Sequence, residues 1–340
     1  MPDLSDLPVQ LSDIQAAARV IAGAADATPM VPSEYMGQRT GHPFWMKLEI
    51  TQPTGAFKLR GATNAIRALG DDVAGVVCCS TGNHGRAVAY AAREAGLRAV
   101  ICMSELVPDA KVARIRATGA EVVIEGQSQD EAQRAADRLV EAEGLVDIPP
   151  FDHPDVIAGQ GTVGLEMLTE RPELDTLIIP LSGGGLAAGV AVAAKALAPD
   201  IRLIGVTMDQ GAAMDASIRA GQPVEVEEVA SLADSLGGGI GLSNRYTFPI
   251  CRALLDEVVL VTEEEILTGM QTLYYEDALV AEGACAVAHA ALLSGKITAR
   301  GPTATIITGR NLDMRVFNGL MAGDHVTLGD RIVKGQTYGA

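Results

Sequence analysis

The most informative segment of the chain reads Leu177-Ile178-Ile179-Pro180-Leu181-Ser182-Gly183-Gly184-Gly185-Leu186. Its apolar first half predicts a buried strand, and the residues after the glycines have the 3.6-residue apolar spacing of a helix over 186–198. A tight turn without a ligand is the alternative, but three consecutive glycines cost much conformational entropy. Because backbone N–H groups and the positive end of the helix dipole converge at such a turn, the segment predicts a phosphate-binding loop.

Strand and helix patterns alternate on both sides of this loop. Before it, three successive strand–helix units are predicted, at 76–96, 99–118 and 121–142. After it, apolar strands separated by helical patterns are predicted at 202–207, 257–262 and 304–308. This alternation predicts an α/β protein with open, mostly parallel sheets, and 340 residues are enough for two lobes.

A second segment, Thr54-Gly55-Ala56-Phe57-Lys58-Leu59-Arg60-Gly61, supplies an amine just before a predicted helix over 59–69. Lysines at helix starts are usually solvated, but the small Gly55 and Ala56 permit close backbone approach and Phe57 can bury its ring. Desolvation would lower the amine pKa from about 10.4 toward neutrality. Pyridoxal 5'-phosphate (PLP) needs both an amine and a phosphate cup, since its aldehyde condenses with lysine. The two segments together predict PLP bound to Lys58.

A third loop lies at the carboxyl end of the predicted strand 76–79, where α/β sheets bind ligands. Its backbone N–H groups suit a substrate carboxylate, which assigns that role to Ser80, Thr81, Gly82, Asn83 and His84. The Asn83 amide can also donate to the phenolic oxygen of PLP. For His84 a structural role is the more ordinary interpretation, and we favour it over catalysis.

Residues 159–164 match the G-x-G-x-x-G dinucleotide fingerprint by spacing alone. The preceding stretch is short and polar, and no acidic residue ends a strand at the distance that ribose binding requires. We therefore interpret this segment as a tight turn into a helix packed near the cofactor. A nicotinamide-dependent oxidoreductase built on it stays an alternative, as does a non-catalytic binding protein in which Lys58 is a surface cation.

Composition excludes several classes of partner. A net charge of −17 argues against nucleic acids and anionic membranes. Reduced core thiols are the favoured interpretation of an odd number of cysteines, Cys78, Cys79, Cys102, Cys251 and Cys285. No basic-plus-apolar N-terminal signal and no membrane-length apolar run is present, which predicts a cytoplasmic protein.

With these motifs in place, the chain resembles the fold-type II PLP enzymes, specifically the threonine dehydratase and serine racemase group. The three loops occur in the family's order, and residues 157–162 and 308–311 also fit its pattern. The resemblance covers almost the whole chain. It implies a tryptophan synthase β-like fold, with the cofactor between a large PLP-binding domain (1–70 and 151–340) and a small mobile domain (71–150). It also implies a homodimer.

The resemblance implies roles for individual residues. Lys58 would be the Schiff-base lysine and catalytic base, Phe57 would pack beside the cofactor ring, and Asn83 would bond its phenolic oxygen. The Thr308 hydroxyl would meet the pyridine nitrogen, and a neutral partner there favours β-elimination over chemistry that needs a long-lived carbanion. The phosphate would be held by Ser182, Gly183, Gly184, Gly185 and Leu186.

The chain departs from the family pattern in places. Ala56 replaces a common serine, and Arg86 stands where glutamine is usual. Thr81 occupies the position of the serine that racemases use as acid/base, so racemisation by Lys58 and Thr81 is an alternative function. Glu282 matches a family position near the cofactor, with a helix-capping carboxylate as the other interpretation.

The family's divalent-metal site maps onto residues without carboxylates. Its glutamate, backbone carbonyl and aspartate fall on Thr207, Gly211 and Ala213. A hard cation lacks its preferred ligands there, so no metal is predicted, although Asp209 and Asp215 lie nearby.

The predicted reaction is that of a lyase acting on a small amino compound. Lys58 would remove the α-proton, a β-hydroxyl would leave as water, and the released enamine would hydrolyse to a keto product and ammonia. Residues 80–86, 148–154 and 231–244 look most like the dehydratases of hydroxyectoine utilisation, which suggests a larger substrate derived from that osmolyte. The run Gly237-Gly238-Gly239 would then give space to that substrate, or it is a flexible turn.

Overall fold

The computed structural model describes residues 4–70, 72–80, 82–107 and 109–339. In chain order, the helices are α1 (Leu11–Val20), α2 (Glu34–Thr40), α3 (Lys58–Arg67), α4 (Asn83–Glu94), α5 (Asp109–Arg116), α6 (Gln129–Glu143), α7 (Pro154–Glu170), α8 (Gly185–Leu197), α9 (Ala213–Ala220), α10 (Thr247–Leu254), α11 (Glu263–Tyr275), α12 (Gly283–Leu293) and α13 (Met314–Ala322). The strands are β1 (Met30–Pro32), β2 (Phe44–Leu48), β3 (Val76–Cys79), β4 (Ala99–Met103), β5 (Glu121–Ile124), β6 (Val146–Asp147), β7 (Thr176–Pro180), β8 (Arg202–Met208), β9 (Glu257–Val261), β10 (Thr303–Ile307), β11 (Val326–Leu328) and β12 (Arg331–Val333).

Two open sheets organise the described chain. The larger has the order β1-β2-β10-β7-β8-β9, and all its neighbours are parallel except the edge pair β1 and β2. The smaller has the order β5-β4-β3-β6 and is wholly parallel. The expected α/β architecture of two mostly parallel sheets is confirmed. The smaller sheet falls within the proposed small domain of 71–150, whose limits stay a prediction.

The central strands of both sheets are buried on both faces, and side chains along each strand point alternately to the two faces. In the larger sheet, Leu177 packs with α7 and α8, whereas its neighbour Ile178 packs with α12 on the opposite face. In the smaller sheet, Cys78 and Cys79 likewise enter different clusters. All five cysteines are buried and free of disulfides, which confirms the interpretation as core thiols.

Short elements escaped the sequence analysis. Strand β1 has three residues, α2 seven and α10 eight, so none is long enough for a clear apolar period. Among the described residues, no helix is both long enough and apolar enough to cross a membrane.

The interpretation of residues 159–164 as a tight turn is wrong. They lie inside α7, which begins at Pro154 with the His153 ring accepting from the N–H of Asp155. The glycines serve helix packing instead. A Cβ on Gly159 would lie 2.7 Å from the Arg60 carbonyl oxygen in α3, and one on Gly161 would lie 2.9 Å from that of Gly189 in α8. Without a strand–turn–helix junction, the dinucleotide alternative loses its structural basis.

The same contact between helices makes Gly189→Ala a test of the packing. The added methyl would sit 2.3 Å from the Ile157 carbonyl oxygen and 2.5 Å from the Gly161 nitrogen, both backbone atoms. The helices must separate, so we expect the free energy of unfolding to fall by about 3 kcal/mol in urea titration. Gly70→Ala is the control, since a Cβ there meets nothing within 4 Å. Equal effects of the two substitutions would contradict this packing.

Candidate active site

Lys58 opens α3 and points toward the space between the two sheets. Its Nζ donates to the Pro150 carbonyl oxygen at 2.6 Å and lies 5.3 Å from the centroid of the Phe57 ring. Burial lowers the pKa of this amine to about 8. The preceding loop is tied to the end of β10, because the Phe57 N–H donates to the Thr308 carbonyl at 3.0 Å. The alternative of a freely solvated surface cation does not fit this environment.

The three predicted loops line one cavity of about 320 Å³. Every described member of the predicted site lines it, namely Phe57, Lys58, Ser80, Gly82, Asn83, His84, Ser182, Gly183, Gly184, Gly185, Leu186 and Thr308. Thr81 lies outside the described residues. The cavity is also lined by residues that sequence reasoning missed, among them Cys79, Pro150, Phe151, Asp234, Ser235, Leu236 and Ala284.

The glycine loop joins β7 to the N-terminus of the thirteen-residue helix α8. Gly184 has a φ of +90°, which side chains rarely adopt. A Cβ on Gly183 would lie 2.4 Å from the Phe151 ring, so the loop reaches its close packing only with glycine. Unpaired N–H groups and the helix dipole favour an anion at this end of α8, inside the cavity that Lys58 enters. These residues fit PLP, with Lys58 for its aldehyde and the glycine loop for its phosphate.

Asn83 begins α4, lines the cavity, and contacts Glu282 and Asn311. Its Nδ2 lies 3.0 Å from both carboxylate oxygens of Glu282, and its Oδ1 accepts from Asn311 Nδ2 at 2.6 Å. Glu282 also accepts from the Asn311 backbone N–H at 2.7 Å, and burial raises the pKa of this carboxyl. Glu282 is the N-cap residue of α12, but its side chain makes no capping hydrogen bond.

His84 is buried and lines the cavity. Its Nε2 lies 2.6 Å from the Ile148 carbonyl oxygen, and burial, with the charge of Lys58 as a second cause, lowers the pKa of the ring to about 3. The imidazole is therefore neutral, and Nε2 carries the hydrogen that it donates to the carbonyl. This geometry favours the structural role.

The Thr308 hydroxyl is held by a buried thiol. Its Oγ1 lies 3.3 Å from Cys285 Sγ, which also donates to the Gly309 carbonyl. Burial raises the pKa of the Cys285 thiol to about 12, so the sulfur stays protonated and neutral. A neutral hydroxyl therefore lines this wall of the cavity, with a neutral thiol behind it.

A cluster of four charges, the buried Lys47, Glu49 and Arg60 and the half-buried Glu166, holds the first turn of α3. Arg60, two residues after Lys58, contacts Glu49 at 2.8 Å and Glu166 at 2.6 Å, and Lys47 contacts Glu166 at 2.6 Å. The Arg60 side chain is 1% exposed. Two cations and two carboxylates offset one another, so the three buried members can remain charged. No local sequence pattern connects these four residues, so this support for Lys58 was not predicted.

Comparison with known proteins identifies the family. The family described as "Pyridoxal-phosphate dependent enzyme" matches residues 21–309. A Sinorhizobium fredii protein, provisionally named threonine dehydratase, is 55% identical over 94% of this chain and 98% of its own. The catabolic L-threonine dehydratase TdcB of Escherichia coli is 40% identical over 91% and 95%. The structure of maize serine racemase superposes with a TM-score of 0.86 at 33% identity, covering 92% and 97% of the two chains.

The chain therefore belongs to the family of PLP-dependent enzymes. The predicted fold and cofactor are confirmed by the family match and by the likeness to maize serine racemase. The individual contacts between this cofactor and Phe57, Asn83 or Thr308 stay predictions. So does the absence of a metal near Asp209 and Asp215, of which Asp215 pairs with Arg219 at 3.0 Å.

The lowered pKa of Lys58 makes cofactor capture depend on pH. Only the neutral amine condenses with an aldehyde, and its fraction rises with pH until the pKa of about 8 is passed. We expect the rate constant for PLP capture by cofactor-free protein to rise about tenfold per pH unit below that point and to level off above it. Stopped-flow absorbance measures it, with Nα-acetyl-lysine as the unperturbed amine. A rate that follows the free amine would contradict the burial of Lys58.

Proposed function

We propose that this enzyme is a PLP-dependent lyase that converts β-hydroxy amino acids to 2-oxo acids and ammonia. The observation that carries the proposal is that Lys58, with its pKa of about 8, the glycine loop, and the residues Ser80 and Gly82 to His84 line one cavity. The names of the two relatives, both threonine dehydratases, support the reaction type.

When bound, PLP would withdraw electrons from the substrate Cα and so acidify its hydrogen. Lys58 is placed to accept that proton, since an amine with a pKa of about 8 is partly neutral near physiological pH. The backbone of residues 80–84 would orient the substrate carboxylate, and the Phe57 ring would pack beside the cofactor ring. The substrate loses its α-hydrogen and β-hydroxyl as water, and water then hydrolyses the released enamine to the 2-oxo acid and ammonia.

Thr308 would face the pyridine nitrogen and Asn83 the phenolic oxygen. In the structure the Asn83 amide already donates to Glu282. Glu282 and the phenolic oxygen of PLP would therefore both contact the Asn83 side chain. The cofactor phosphate would accept hydrogen bonds from the backbone N–H groups of Ser182, Gly183, Gly184, Gly185 and Leu186. We also propose the division into a large domain of 1–70 plus 151–340 and a small one of 71–150.

We also propose a substrate, an assembly and an alternative reaction. The likeness of residues 231–244 to the dehydratases of hydroxyectoine utilisation supports a substrate larger than threonine, derived from that osmolyte. A homodimer is the assembly that the family resemblance supports, and the absence of a signal-like or membrane-length segment in the sequence supports a cytoplasmic location. The racemase alternative is favoured by the likeness to maize serine racemase, and it would require Thr81 as the second acid/base.

One experiment separates elimination from racemisation. The PLP-loaded enzyme is incubated in D₂O with L-threonine and L-serine, and ammonia, 2-oxo acid and the configuration of remaining substrate are measured. A lyase releases ammonia and 2-oxo acid in equal amounts. Accumulation of deuterated D-amino acid with little ammonia would overturn the lyase proposal in favour of the racemase.

A further inference from the structure

The segment 148–153, which joins β6 to α7, contacts the site at two points. Its Pro150 carbonyl oxygen accepts a hydrogen bond from Lys58 Nζ at 2.6 Å. Its Phe151 ring lies against the glycine loop, since a Cβ on Gly183 would be only 2.4 Å from a ring carbon. The Phe151 ring therefore limits where the backbone of the glycine loop can lie.

Helix α10 also packs on the glycine loop. A Cβ on Gly184 would lie 3.0 Å from the Cβ of Thr247, the first residue of α10, and 3.1 Å from Cys251 Sγ. The Cys251 thiol donates to the Gly184 carbonyl oxygen at 3.7 Å. Burial raises the pKa of this thiol to about 12, so the sulfur keeps the hydrogen that it donates. The position of α10 therefore also constrains the glycine loop.

Asp152 connects these two elements. Its Oδ1 accepts from the backbone N–H groups of Tyr246 and Thr247, each at 2.9 Å, and its Oδ2 accepts from that of Arg245 at 2.8 Å. The N-cap residue of α10, Tyr246, makes no side-chain capping bond of its own. A carboxylate from a distant segment thus satisfies the donors at the start of α10, where the helix dipole favours negative charge.

We propose that Asp152 is a positioning residue for the cofactor phosphate, because it ties Phe151 to α10 and both pack on the glycine loop. This rests on the proposed phosphate contact of residues 182–186 and not on the reaction. Backbone N–H groups bind an anion best when their arrangement is fixed before the anion arrives. Asp152 does not itself line the cavity, so it acts through the loop.

The charge of Asp152 distinguishes positioning from simple electrostatics. If the charge alone mattered, its removal near an anion site would strengthen phosphate binding. Loss of the three hydrogen bonds would instead loosen the loop, so we expect Asp152→Ala to raise the dissociation constant for PLP at least about tenfold. Asp152→Asn should have a smaller effect of the same sign, because the amide nitrogen cannot accept from Arg245. Should Asp152→Ala fail to fold, Asp152→Asn decides the sign.

Pyridoxal, which has the aldehyde of PLP but no phosphate, separates loop positioning from damage to the fold or to Lys58. Full-length protein loaded with either compound is diluted in steps, and visible absorbance gives the bound fraction and both dissociation constants. The wild type should prefer PLP by at least about 100-fold. In Asp152→Ala this preference should fall about tenfold, while the affinity for pyridoxal stays within about twofold of the wild type.

Asp313→Ala is the matched control. Asp313 is also an aspartate at a helix start, where it accepts from the Arg315 N–H at 2.8 Å, and it does not line the cavity. Its loss should leave the preference for PLP unchanged. Unchanged or tighter PLP binding in the Asp152 variants, or an equal loss of affinity for PLP and pyridoxal, overturns the positioning role. A wild type without preference for PLP would refute the phosphate contact, and the positioning role with it.

Discussion

Lys58→Ala is expected to lower kcat/KM for ammonia release from the best substrate by at least about 10⁴-fold. The substitution removes both the amine that captures PLP and the base that lies in the cavity. Among the described residues no other lysine lines that cavity, so none of them can take over either role. The PLP-dependent visible absorbance that borohydride bleaches should disappear with the activity.

Two controls separate this effect from loss of fold. Lys334→Ala removes an exposed lysine and should leave activity and absorbance unchanged. The unfolding midpoint of Lys58→Ala should stay near that of the wild type, since the Lys58 amine donates a single hydrogen bond to Pro150. Retention of more than about one hundredth of the wild-type kcat/KM would contradict the assignment of Lys58.

Arg60→Leu is expected to reduce the free energy of unfolding by about 3–5 kcal/mol. The side chain fits the buried site by size, but Glu49, which is 0% exposed at its side chain, then loses the guanidinium that neutralises it. The loss of an ion partner away from water is the physical cause. Urea titration of the PLP-loaded protein measures it.

Arg98→Leu is the matched control for burial. Arg98 also pairs with two carboxylates, Glu121 and Glu143, but these side chains are 37–56% exposed. Solvent screens such pairs, so the expected change is below about 1 kcal/mol. If the two arginine substitutions lowered the free energy of unfolding equally, burial would not be the cause of the stabilisation by the Arg60 cluster.

Local pattern was enough to predict much of this molecule. Strand 76–79 was predicted with its observed limits, because a short apolar run bounded by turns has one plausible interpretation. The three loops that line the cavity were each recognisable from glycine, an amine or a strand end. Their convergence follows from parallel sheets, which present strand carboxyl ends on one side.

Contacts between distant residues could not be predicted in this way. Asn83 and Glu282 are 199 positions apart, and no local pattern connects an amide on α4 with a carboxylate before α12. The spacing of residues 159–164 suits a phosphate turn or a close helix crossing equally well. Only the neighbours, among them Gly189 on α8, reveal which of the two forms. For Asp234, its position on the cavity wall becomes visible only when the loop is folded.

Borohydride reduction of the PLP-loaded protein, followed by trypsin and mass spectrometry, tests the central claim most directly. A lysine that carries reduced PLP resists trypsin, so a modified Lys58 leaves residues 48–60 as one peptide with the mass of a single adduct. The account predicts this peptide as the main labelled species. Label on any other lysine, with cleavage after Lys58 intact, would contradict it.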